Sequence, residues 1–141
     1  MARKTTDYII IHCSATSPSH NVDIRDVDRW HRAQQFRMVG YHYFIKRDGT
    51  LQTGRPLMDG GAHATGYNEK SVGVCMAGGV ASDGVTPDAN FTLAQWEQLT
   101  RIITELHEQF PGAKIIGHNE VAKKDCPCFD VKKWWASVHN K

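Results

Sequence analysis

The sequence has no apolar run approaching the roughly 20 residues that a membrane-spanning helix needs. The apolar run near its start is the three isoleucines at residues 9–11. The opening "MARKTTDYIIIHCSA" therefore lacks the longer apolar core of a secretion signal, despite its two basic residues. Synthesis and folding in the cytoplasm are expected. An excess of one charge is missing too: 17 Lys and Arg against 15 Asp and Glu leave a formal +2, with eight histidines neutral. That balance predicts no affinity for nucleic acid. Cysteine is scarce, with four residues at positions 13, 75, 126 and 128. They are too few and too unevenly spaced for a secreted disulfide framework. No repeat, low-complexity stretch or linker interrupts the chain. Its 141 residues read as one domain, 1–141, with a folded core over about 7–139 that buries roughly two-thirds of the unfolded surface.

What is present is an alternation of strand and helix signals. "DYIIIHC" is short and β-branched, the mark of a buried strand, and places His12 at its C-terminal end. "DIRDVDRWHRAQQF" carries Ile24, Val27 and Trp30 at helical spacing, with Asp23 and Asp26 near the N-terminus where acids are favourable. "GYHYFIKRDGTLQTG" predicts a hairpin about Asp48-Gly49. Strict alternation there would put Tyr41, Tyr43 and Ile45 on one face and His42, Phe44 and Lys46 on the other. The glycine-rich "MDGGAHATGYNEK" reads as a surface loop and "SVGVCMAGG" as a second buried strand. In "TLAQWEQLTRIITELHEQF", Thr92 and Gln95 form a capping-box pattern, with Leu93, Trp96, Leu99, Ile103, Leu106 and Phe110 as an apolar stripe. "AKIIGH" follows as a short strand ending in His118, and a last helix starting near Asp130 carries Val131, Trp134, Trp135 and Val138. This order predicts an α/β domain with one sheet flanked by helices.

Two histidines, His12 and His118, end two apolar strands and can meet at one sheet edge, where ligand sites of α/β folds open. Cys126 follows His118 by eight residues, enough for a loop to return a thiolate to the imidazole. A His/His/Cys set would leave one tetrahedral zinc position open, as catalytic sites do. Taken singly, each histidine is more often a hydrogen-bonded core or surface residue, and His31 and His42 read as structural. Cys13 and Cys75 read as small buried hydrophobes. Cys126 and Cys128 are separated only by Pro127, too short a loop for an unstrained disulfide, and the spacing is not that of a zinc ribbon or a redox pair. One ligand and one bystander is the expected division, and spacing does not say which is which.

The blocks "IIIHCSAT", "GYHYFIKRDG", "GAHATGYN", "SVGVCMAGG", "ANFTLAQ" and "GHNEVAKKDCPCFD", in this order from about residue 6 to residue 136, resemble the zinc-dependent N-acetylmuramoyl-L-alanine amidases of the peptidoglycan-recognition superfamily. Within that superfamily the blocks resemble those of the T-odd coliphage endolysins. The resemblance implies a mixed central sheet flanked by helices, and hydrolysis of the amide between the muramic acid lactyl group and L-alanine of peptidoglycan, leading to lysis. It implies one Zn²⁺ held by His12, His118 and Cys126, with Tyr41 and Lys124 as the catalytic pair and His63 and Asn68 at the substrate groove. Glu120 is a candidate general base, against the reading of a structural carboxylate. A monomer is expected, made in the host cytoplasm and released to the wall by a separate membrane-permeabilising protein.

Two rival functions follow from the same resemblance. One is peptidoglycan binding without cleavage, against which the complete His/His/Cys set argues. The other is inhibition of a phage RNA polymerase, which the T-odd relatives carry out partly through an N-terminal arm; here the first strand begins within about seven residues, so that arm looks shortened. Cys128 stands where serine is expected from the relatives, and could compete for metal or oxidise.

Overall fold

Three successive isoleucines put branched side chains on both faces of a strand, so the strand that holds them must be covered twice. In the computed structural model, which describes residues 2–139, that strand is β1 (Tyr8–Cys13), with Ile9, Ile10 and Ile11 fully buried. Four further strands complete a five-stranded sheet among the described residues. They are β2 (Tyr43–Ile45), β3 (Leu51–Thr53), β4 (Ser71–Met76) and β5 (Lys114–Gly117), in the order β3-β2-β4-β1-β5. β1 runs parallel to β4 and β5, β2 runs parallel to β4, and the β2–β3 hairpin is antiparallel. The sheet is mixed, as the resemblance implies. Gly49 closes the hairpin at φ +88°, a conformation that favours glycine.

Helix α1 (Ile24–Ala33) covers one face, where Val22, Val27 and Val39 pack against Phe44 and Cys75. Helices α2 (Leu93–Gln109) and α3 (Val131–His139) cover the other, burying Leu99, Ile103, Leu106 and Val131 against Ile9, Ile11, Val74 and Met76. The caps follow the sequence. Asp23 and Asp26 form a reciprocal capping box on α1, Thr92 and Gln95 form another on α2, and Asp130 accepts from the Lys133 N–H at 3.0 Å. Gln95 is wholly buried and does more than cap. Its Nε2 donates to the carbonyls of Ile45 (3.2 Å) and Ala77 (2.8 Å), fastening the start of α2 to the ends of two strands.

Three details differ from the sequence reading. Leu93 is 74% exposed; at about 100° per residue it lies across the helix from the buried arc of Gln95, Leu99, Ile102, Ile103 and Leu106. Trp30 is 38% exposed, because α1 presents a narrow stripe in which only Val27 is fully buried. Tyr41 and His42 lie just before β2, and the bend at His42 breaks the expected alternation. Tyr41 therefore packs with Val39 and Phe44 on the α1 side instead of sharing a face with Tyr43 and Ile45.

Before β1 the chain already docks. The Arg3 N–H donates to Met58 O at 2.6 Å, and its guanidinium donates to the carbonyls of Leu57 and of Asp59 (2.8 Å for the latter). His42 sits beside it, 1% exposed. Its Nδ1 accepts from the Gly73 N–H at 3.0 Å and its Nε2 faces Asp59 O at 2.7 Å, which requires the neutral Nε2–H form. Burial lowers its pKa to about 4, Arg3 and Arg55 adding to the effect and Asp59 opposing it. The native state holds this imidazole neutral while the unfolded chain protonates it near 6.5. The stabilisation is thus complete above about 6.5 and is lost as pH falls toward about 4. Urea unfolding should show a loss of about 3 kcal/mol from this residue across that window. The pH slope should be shallower in His42→Gln, and an unchanged slope would refute the assignment.

Candidate functional site

Parallel pairing decides what stands next to what at the C-terminal ends of the strands. β1 and β5 are in register from Tyr8 opposite Lys114 to Ile11 opposite Gly117. One step further on, His12 and His118 lie side by side, their ring centroids 4.5 Å apart. β5 ends at Gly117, one residue earlier than expected, and His118 opens a 3₁₀ turn, His118–Glu120. The Glu120 carboxylate accepts from the Gly117 N–H at 2.7 Å and pairs with Lys132 at 3.2 Å. It is the structural carboxylate of the two readings and does not line the cleft beside the histidines.

The loop beyond this turn brings back Cys126, whose sulfur accepts from the backbone N–H of Cys13 at 3.1 Å. One ligand atom each from His12, His118 and Cys126 lies within 4.8 Å of the others. His12 is buried, and its surroundings, with His63, His118 and His31 nearby, push its pKa well down; burial and then Lys124 lower that of His118. Neutral imidazoles and a sulfur held by an N–H donor suit a borderline-soft divalent cation such as zinc. The site therefore fits the ion that the resemblance implies. Cys128 points elsewhere. Its thiol donates to Gly79 O at 3.2 Å, and burial, together with the Cys13 thiol, pushes it up to about 12. Of the two thiols, it is Cys126 that stands with the imidazoles and Cys128 that is turned away. Cys13 and Cys75 are buried, as expected.

A cleft of about 450 Å³ opens above His118, lined among others by His31, Tyr41, His63, Asn68 and Lys124. That volume suits a small-molecule-sized portion of a substrate. The Tyr41 ring packs, tilted, with its centroid 4.9 Å from that of His12 and 5.3 Å from that of His31. Burial first, and the neighbouring thiols of Cys75, Cys126 and Cys13, raise its pKa well above the usual value, so its phenol is a hydrogen-bond donor and not a base. His31, read from sequence as structural, accepts at Nδ1 from the Gly40 N–H at 2.9 Å and also forms cleft wall. Lys124 is exposed at the rim.

His63 reaches beneath the cleft, its Nδ1 lying 2.8 Å from His12 Nε2. Burial, then the charges of neighbouring histidines and arginines, lower its pKa to about 3. Asn68 Oδ1 accepts from the backbone N–H groups of His63 (2.7 Å) and Ala64 (2.8 Å), fixing the loop that carries His63. Sequence reasoning missed Ser71, whose hydroxyl lies 3.1 Å from His63 Nε2. It also missed that Gly61 and Gly73 leave room for the His63 ring: a Cβ would stand 2.4 Å from it at Gly61 and 2.8 Å at Gly73. A glycine inside a buried strand was the available signal, since it marks close approach by another group.

Comparison with known proteins agrees with this geometry. The family model described as N-acetylmuramoyl-L-alanine amidase matches residues 2–129. The chain is 50% identical to the endolysin of Escherichia phage T7 over 133 residues, covering 94% of this chain and 87% of that protein. It is 46% identical to the endolysin of Klebsiella phage KP32 over the same shares of the two chains. Among solved structures, the N-acetylmuramoyl-L-alanine amidase LysC from Clostridium intestinale URNW superposes with a TM-score of 0.80 at 23% identity, over 96% of this chain and 86% of that one. Drosophila PGRP-LB superposes with a TM-score of 0.76 at 26% identity, over 97% and 84%.

The packing of His63 against β4 gives a direct test. Gly73→Ala should lower the unfolding free energy by about 1–3 kcal/mol through overpacking. Gly112→Ala, with nothing within 4 Å of its added carbon, should change it by no more than about 0.5 kcal/mol. Equal effects in denaturant titrations would contradict the close packing.

Proposed function

The chain belongs to the N-acetylmuramoyl-L-alanine amidase family, and we infer that it is an endolysin that hydrolyses the amide between the muramic acid lactyl group and L-alanine of bacterial peptidoglycan. The observation that carries this reading is the convergence of His12, His118 and Cys126 within 4.8 Å beside an open cleft. We assign these three as the ligands of one zinc ion. A protein that only bound peptidoglycan would have no use for a thiol and two imidazoles so placed. Delivery from the host cytoplasm to the wall would fall to a separate membrane-permeabilising protein.

The chemistry a bound zinc ion supplies is polarisation of a carbonyl and acidification of a water to a pKa of about 7. The remaining work belongs to side chains. The neutral Tyr41 phenol, held against His12, has the Cys75 thiol as its hydrogen-bond partner, and by turning from that thiol toward the cleft it would donate to the attacking water or the lactyl oxygen. Lys124, at the rim, places a cation near the oxygen that gains charge as water adds to the carbonyl carbon, a preorganised stabilisation of the kind that dominates many hydrolases. The C–N bond then breaks and the alanine nitrogen leaves as an amine after taking the proton that the attacking water gave up, so that water supplies OH to the lactyl carbon and H to the nitrogen. Asn68 shapes the groove wall by holding the 63–64 backbone. Glu120, committed to Gly117 and Lys132, takes no part.

Purified peptidoglycan with a readout of freed muramoyl-linked peptide tests these roles. A strong chelator and Cys126→Ala should each abolish release and remove bound zinc, whereas Cys128→Ser should retain zinc at one equivalent. Cleavage indifferent to Cys126→Ala would sink the metal reading. Lys124→Ala and Tyr41→Phe should each lower kcat by about 10²–10³ with zinc content unchanged; full activity in either removes that residue's role alone.

A further inference from the structure

A metal-binding histidine offers one ring nitrogen to the ion and keeps its proton on the other, so whatever accepts that proton selects the ligating atom. Behind His12 the structure holds a chain of three hydrogen bonds whose directions can be worked out from its far end. Ser71, fully buried, has a single hydroxyl proton, and its Oγ lies 2.7 Å from the backbone carbonyl of Tyr67, which can only accept. The proton is therefore spent there, and Ser71 Oγ can act only as an acceptor toward His63 Nε2 at 3.1 Å. A neutral His63 then carries its proton on Nε2 and shows a bare lone pair at Nδ1. That lone pair meets His12 Nε2 at 2.8 Å, so His12 must be protonated on Nε2.

We propose that Ser71 and His63 are positioning residues that lock His12 in its Nε2–H tautomer and leave Nδ1 as its only nitrogen able to ligate the metal. The proposal rests on the amidase reading of this site, and it reassigns His63 from substrate groove to support of a ligand. The steric frame acts in the same direction. Gly61 and Gly73 enclose the His63 ring on two sides, at the distances given above, so the ring is held in the orientation that keeps Nδ1 on His12. The Asn68 amide fixes the His63 backbone. The Tyr67 carbonyl, part of a main-chain turn, cannot change its role as acceptor, which anchors the sense of the whole chain of bonds.

Two measurements on the full chain test this: long-range ¹H–¹⁵N correlation of the His12 ring after dialysis against chelator, and zinc affinity by competition with a chromogenic chelator. The expected result is His12 protonated at Nε2. Zinc affinity should fall about tenfold in Ser71→Ala and about 10–100-fold in His63→Leu, as for other partners of metal-bound histidines. His63→Asn, which can present an amide oxygen where Nδ1 stood, should recover affinity to within a few-fold. A His12 ring protonated at Nδ1, or Ser71→Ala with tautomer and affinity both unchanged, would overturn the proposal. If Ser71→Ala fails to fold, the His63→Leu and His63→Asn pair decides it, and equal affinities in the two would overturn it. Failure of the amidase reading looks different: zinc bound with the stated tautomer but no peptide released.

Discussion

The parallel register of β1 against β5 is the constraint from which the site follows. Ile11 stands opposite Gly117, so the residues that come next, His12 and His118, are brought together by backbone hydrogen bonds laid down four residues earlier. A slip of one residue would turn every side chain of one strand to the other face. Ile10 and His12 would then point into the layer under α2 and α3, and Ile9 and Ile11 into the cleft. Driving the His12 imidazole into that wholly apolar layer would cost a buried polar group its partners, which opposes the slip, so the hydrophobic core and the placement of His12 are one and the same specification.

Around this pair the structure separates groups that look alike in sequence. Cys126 receives a backbone N–H and faces the imidazoles; Cys128, two residues away, donates to Gly79 O. His42, buried, and His63, partly buried, have ring centroids only 6.0 Å apart. The first is satisfied by main-chain groups of Gly73 and Asp59, the second by side chains that lead to His12. Gly73 serves both: its N–H bonds His42 Nδ1, and its missing side chain makes space for His63.

Much of the fold could be read from the residues because its signals are local. The isoleucine run, the Asp48-Gly49 turn and the Thr92/Gln95 box depend on near neighbours, and each is found as expected. Where a reading failed, a non-local effect was responsible. The face of Tyr41 depends on a bend whose partner is Gly73, some thirty residues away, and the exposure of Leu93 on how the sheet meets α2. At the site, His12, His118 and Cys126 could be listed as chemically suitable, but spacing alone could not separate Cys126 from Cys128. Ser71 was hidden because a serine opening a strand carries no mark of what its hydroxyl will touch.

The convergence of residue 12 with residues 118 and 126 also bears on when the site exists. Residues 2–110 contain all four of the strands that precede β5, along with Tyr41 and His63, yet provide only one of the three candidate ligands. A ribosome-bound or truncated product of that length lacks two of the three groups that meet at the site. Contacts of such long range also form late and slowly in folding. The order of synthesis thus withholds the complete His12, His118 and Cys126 set until the chain has passed β5 and the loop that returns Cys126, a property that comes from topology and requires no inhibitor.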